Sequence, residues 1–112
     1  GAISGIVTST SDHFGSIVFN IPLAQVAEAG FRHGDTLRVL LTHGGKTVFQ
    51  DDVLYHKSFG YVAQGAPILF NASAGYLSLG LNQASFTAKY QCGRGGDWAV
   101  TVSRIPAEDA RL

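Results

Sequence analysis

Apolar residues along this chain recur with period two, or in short runs cut by glycine and proline. That is the pattern of half-buried strands rather than of helices. It predicts strands over 2–8, 17–20, 36–41, 47–54, 61–62, 67–71, 76–81, 86–91 and 98–102. The stretch His43-Gly44-Gly45-Lys46 lies between two of them and reads as a hairpin connection, because glycine reaches positive φ at little steric cost. Gln64-Gly65-Ala66-Pro67 and Gly93-Arg94-Gly95-Gly96 read as further turns. Only 22–29 carries a helical signature, with Pro22 at its start and Gly30 placed to end it. Many short strands with a turn signal every ten or so residues imply an all-β protein. The expected architecture is a small antiparallel β-barrel of about seven or more short strands with one short helix.

Length and composition narrow this to a single domain over residues 1–112, with 105–112 as a peripheral tail where the alternation is lost. A hydrophobic fraction of 46% supports one core, and 14 glycines with only 14% charged residues favour turns and apolar strands over exposed helices. The formal net charge is zero, which removes the electrostatic footprint for nucleic acid or an anionic membrane surface. No apolar run reaches the ~20 residues of a membrane span. These features give the expectation of a soluble, cytoplasmic protein. The chain opens on Gly1 and contains no methionine, so a segment is expected to precede it. Cys92 is the single cysteine and is read as a structural thiol.

Few residues form a pattern that implies chemistry. His13, His33, His43 and His56 share no spacing that would place two ligands on one face of an element. Ser11-Asp12-His13 has the residue types of a hydrolytic triad, but neighbours on an extended strand point to opposite faces. Asp51-Asp52 diverges for the same reason. Asn71-Ala72-Ser73 matches a glycosylation acceptor, a frequent chance pattern. More specific are two glycine-marked segments rich in small polar and aromatic residues. They are Asp12-His13-Phe14-Gly15-Ser16-Ile17-Val18-Phe19-Asn20-Ile21 and the run from Gly65 through Asn71, Ser73, Gly75, Tyr76 and Gly80 to Gln83. Aromatic faces beside amides, hydroxyls and approachable backbone suit a neutral planar ligand such as a nucleobase with its ribose. The residues alone leave a second reading open, in which the phenylalanines are core and the glycines are turns.

Those two segments resemble the S-adenosylmethionine hydroxide adenosyltransferases, also called hydrolases, relatives of fluorinating and chlorinating enzymes. The first is similar to the family's Asp-His-Phe-Gly-Asn-x-x-x-Asn-Ile stretch. The second is similar to Gly-x-Pro-x-x-x-x-Asn-Ser-x-Gly-Tyr-Leu-x-Leu-x-x-Asn. Between them, Lys57-Ser58-Phe59-Gly60-Tyr61-Val62 matches an element that precedes the Gly-x-Pro turn. The resemblance implies a C-terminal β-barrel domain that follows an N-terminal α/β domain. It further implies a homotrimer in the full-length protein, with S-adenosylmethionine or adenosine held between the N-terminal domain of one subunit and the barrel of the next. By the same resemblance Asp12 is the acid opening the first motif, Phe14 and Phe59 are aromatic walls, and Ser73 is the serine of the second loop. Leu81, Asn82 and Gln83 form a strand end whose backbone meets the adenine edge. Ser16 stands where the family has asparagine, and a hydroxyl cannot make the bidentate pair that an amide makes. In an ungapped alignment of the second segment, Ala72 replaces the loop asparagine.

The resemblance carries over no catalytic residue and implies no metal or redox cofactor. S-Adenosylmethionine is the substrate, and the water- or halide-directing residues belong to the N-terminal domain. The chain alone is therefore expected to be inactive. Two other readings compete with this one. One is a stand-alone nucleoside-binding or oligomerisation barrel without activity, and the other is a Greek-key barrel that binds oligosaccharide or single-stranded nucleic acid.

Overall fold

A computed structural model of the chain describes residues 2–10, 15–72 and 74–105. Seven strands appear in chain order: β1 Ala2–Thr10, β2 Ile17–Pro22, β3 Thr36–His43, β4 Lys46–Tyr55, β5 Pro67–Asn71, β6 Tyr76–Leu81 and β7 Gly95–Arg104. They close into a barrel in the order β1-β2-β6-β5-β4-β3-β7. Every neighbouring pair is antiparallel except β4 and β5, which run parallel through Leu54 with Ile68 and Tyr55 with Leu69. The expected all-β barrel is thus the fold, with one parallel seam that periodicity did not reveal.

Alternation along the strands builds the core. Ile17, Phe19 and Ile21 of β2 point inward, as do Leu37, Val39 and Leu41 of β3 and Leu77, Leu79 and Leu81 of β6, and all are fully or almost fully buried. Among the described residues two short helices pack against the strands. Helix α1, Leu23–Glu28, buries Val26 and leads to Phe31, over which the Arg104 guanidinium lies at 5.4 Å. Helix α2, Phe86–Tyr90, inserts Phe86 against Phe49, with ring centroids 5.1 Å apart at 66°. Among the described residues no helix is long and apolar enough to cross a membrane.

Where sequence and structure differ, local chemistry explains the difference. The predicted strand at 86–91 is α2: Ser85 caps it by accepting from the Ala88 N–H at 3.1 Å, and Gln91 ends it in the left-handed region. Phe86 and Tyr90 then share one face, and both meet Phe49. The described residues accordingly hold two short helices rather than one. The expected strand at 61–62 is instead the end of a 3-10 turn, Phe59–Tyr61. The turn at 44–45 follows expectation, with φ of 57° at Gly44 and 85° at Gly45, the two positive values a type I′ hairpin requires. The expected tail falls largely on 106–112, outside the described residues.

Cys92 packs against this core, and burial pushes its thiol from 9.0 up to about 11. The folded chain holds the thiol proton more tightly than the unfolded chain. The resulting stability is therefore complete below pH 9.0 and is lost as pH rises toward about 11. At pH 8 the native thiol should react with a chromogenic disulfide about a hundredfold more slowly than in urea. Equal rates would contradict this burial.

Candidate functional site

The site arises from the parallel seam. Parallel neighbours cannot be joined by a hairpin, so residues 56–66 leave the end of β4 and cross the outside of the barrel to begin β5. The crossover is fastened at both ends. At its start His56 stacks on Tyr61 at 3.5 Å and 11°, and its ring lies parallel to that of His33 at 5.7 Å and 6°. The Lys57 N–H donates to His56 Nδ1, the Asn71 amide nitrogen lies 3.3 Å from His33 Nε2, and the Tyr55 hydroxyl donates to Asn71 Oδ1 at 2.7 Å. Burial raises the Tyr55 pKa, opposed in part by that hydrogen bond. At the far end Asn82 acts as a clamp. Its N–H donates to Ala66 O at 3.0 Å, its carbonyl accepts from Gly65 N–H at 2.7 Å, and its side-chain amide donates to Val62 O at 2.9 Å.

Beneath the crossover lies a second buried layer, on the outer face of β2, β6 and β5. Register pairs Ile68 with Gly80 and Phe70 with Ser78, so these residues face away from the barrel interior. Ile68 is fully buried yet stands outside the interior cluster, because the crossover covers it. The Ser78 hydroxyl donates to Ile17 O at 2.7 Å. Gly80 is where the layer is tightest. A Cβ there would lie 2.6 Å from Ser16 Oγ and 3.1 and 3.3 Å from two ring carbons of Phe59. Phe59 in turn packs on Phe70 with ring centroids 4.9 Å apart. Ser16 is only 4% exposed, and its hydroxyl has no hydrogen-bond partner among the described residues. A buried hydroxyl left unpaired costs about 1–3 kcal/mol, so its presence here calls for a reason.

The structure thus brings Ser16 and Phe59 of the expected site together at Gly80, and Asn82, two residues farther along, holds the crossover that carries Phe59. Gln83 is exposed at the adjoining turn with a φ of 57°, and the Leu81 side chain belongs to the interior, so only its backbone can face a ligand. Asp12, Phe14 and Ser73 lie outside the described residues. Sequence reasoning placed Gly80 in the second segment but gave it no role of its own, although a glycine inside an otherwise apolar strand signals close approach. Val62, Ile68 and Phe70 lie in the quoted segments but were given no part in the site, since their roles follow from a crossover that the sequence does not announce. His43 stacks on Trp98 at 4.0 Å at the β3–β4 hairpin. Arg38 pairs with Asp52 across β3 and β4 at 3.0 Å. Among the described residues no group of three or more His, Cys, Asp or Glu is placed to hold a metal ion.

Residues 8–99 match the family described as the SAM hydroxide adenosyltransferase C-terminal domain. The chain belongs to this family. As a member of it, the barrel is similar to two proteins named fluorinase. One, from Actinopolyspora mzabensis, is 32% identical over 92% of this chain and 33% of its own length; the other, from Actinoplanes sp. (strain N902-109), is 31% identical over 93% and 33%. The adenosyltransferase-type barrel therefore spans about a third of these relatives. Its fold recurs in an uncharacterized conserved protein from Thermotoga maritima, with a TM-score of 0.77, 22% identity and coverage of 92% of this chain and 36% of that one. A conserved hypothetical protein from Thermus thermophilus has a TM-score of 0.59, 25% identity and coverage of 88% and 34%.

Proposed function

We propose that this barrel is the adenosyl-binding C-terminal domain of an S-adenosylmethionine hydrolase, acting with an N-terminal α/β domain of its own or a neighbouring subunit in a homotrimer. The observation that carries the reading is the unpartnered, buried Ser16 hydroxyl beside the Phe59 ring, within the segments that belong to the family. In the reaction, a water oxygen bonds to the ribose C5′ as the C5′–S bond breaks. The bonding pair goes to sulfur, converting the sulfonium to methionine's thioether, and the water loses a proton to solvent. The barrel's part is to hold and desolvate the adenosyl group, and positioning of this kind supplies much of the rate in such displacements.

Adenosine titrated into the chain should shift the amide resonances of Ser16, Phe59, Gly80 and Asn82 with millimolar affinity, about 4 kcal/mol, because the barrel encloses one side of the ligand only. Incubated with S-adenosylmethionine, the chain should release no adenosine above the protein-free control. Resonance shifts confined to a distant face, or adenosine release by the barrel alone, would overturn the assignment. The relatives' name supplies the other nucleophile to test. A full-length subunit given S-adenosylmethionine and fluoride should yield adenosine under this reading, and a 5′-fluorinated nucleoside if the halide is the substrate.

A further inference from the structure

Among the described residues the polar contacts of Asn82 run to the crossover. Its N–H donates to Ala66 O and its carbonyl accepts the Gly65 N–H, bonds that any residue but proline could make at this position. The carboxamide adds what only its own chemistry allows. It donates to Val62 O at 2.9 Å, and the Val62 N–H donates in turn to Phe59 O at 3.2 Å, closing the 3-10 turn Phe59–Tyr61. One hydrogen-bonded line thus leads from Asn82 to the backbone of Phe59, whose ring packs on Phe70 at 4.9 Å and lies against Gly80. The turn is short and its own hydrogen bonds are long, at 3.2 and 3.4 Å, so the place of the ring depends on what holds the turn from outside. We infer that Asn82 is a positioning residue: its side-chain amide holds the turn at Val62 and thereby sets where the Phe59 wall stands, without itself touching the ligand. This differs from the part that the resemblance implies for its backbone, because its single N–H is already spent on Ala66 O. The bond to Val62 needs a donor, which a carboxylate of the same shape lacks.

This inference rests on the adenosyl-binding reading, and its test separates the two. In the 112-residue chain, Asn82→Asp and Asn82→Ala keep both backbone bonds and remove only the donor to Val62 O, so both variants should fold. In their ligand-free spectra the nuclear Overhauser contacts between the Phe59 ring and the Gly80 α-protons should be weaker than in the parent. Each variant should bind adenosine about fivefold more weakly, the effect of one lost hydrogen bond. In a Phe59→Leu background the same substitutions should change affinity by less than about twofold, because the ring they position is gone. A side chain that touched the ligand itself would lose the same factor in both backgrounds. One that only stabilised the fold would lower the melting temperature and leave the affinity measured well below it unaltered. Either result overturns the inference and leaves the binding reading standing. The absence of any resonance shift when adenosine is added to the parent chain removes both.

Discussion

Gly15→Ala is expected to cost the domain about 3–5 kcal/mol, a large share of the roughly 5–15 kcal/mol that holds a typical domain together. Two costs add at this position. Gly15 has a φ of 67°, where an L side chain costs about 1–3 kcal/mol. The new Cβ would also be driven into Ser85, colliding with its hydroxyl and lying 2.6 Å from its Cβ and 2.7 Å from its Cα. Because the last of these is backbone, no rotamer change relieves it. Gly15 O also accepts the Thr87 N–H at 2.8 Å, so displacement of this loop pulls on α2. The urea midpoint should fall sharply, and Ser85→Gly in the same chain should restore only part of the loss. A midpoint within experimental error of the parent would show that this loop can relax, and that the strained geometry is not needed.

The second large effect is expected at Phe86. Its side chain is fully buried between Phe49 and Tyr90, at centroid distances of 5.1 and 4.6 Å, and belongs to the barrel's core. Phe86→Ala should destabilise by about 3–5 kcal/mol through lost transfer energy and the cavity left behind. Phe86→Leu keeps most of the volume and should lose about 1 kcal/mol. Equal losses in the two variants would mean that the aromatic contacts, rather than the filled volume, hold α2 in place.

The same residue shows where the sequence could be read and where it could not. Period-two patterning found β5 and β6 to the residue and most of the other strands, because one face of each is buried against a common interior. It failed at 86–91, where two aromatics four residues apart fit a strand face loosely and a helix face better. The capping serine before them was the decisive signal, and a reading based on apolar spacing passes over it. For the site, the motifs led to Ser16, Phe59 and Asn82. They could not show that Asn82 holds the crossover rather than standing free, because its partners at Val62, Gly65 and Ala66 are defined only once β4 and β5 lie side by side. The orphaned state of the Ser16 hydroxyl is likewise a property of packing and cannot be read from residue type.

The parallel seam has a consequence for how the ring comes apart. Whereas β3 is laced to β7 from Leu37 to His43, β4 and β5 share only Leu54 with Ile68 and Tyr55 with Leu69. A bracelet of strands is no stronger than its clasp, and here the chain that spans the clasp is also the chain that carries Phe59. Loosening at the seam is therefore expected to disturb the packing of Phe59 on Phe70 as well, since Phe70 follows directly on the paired Leu69 of β5.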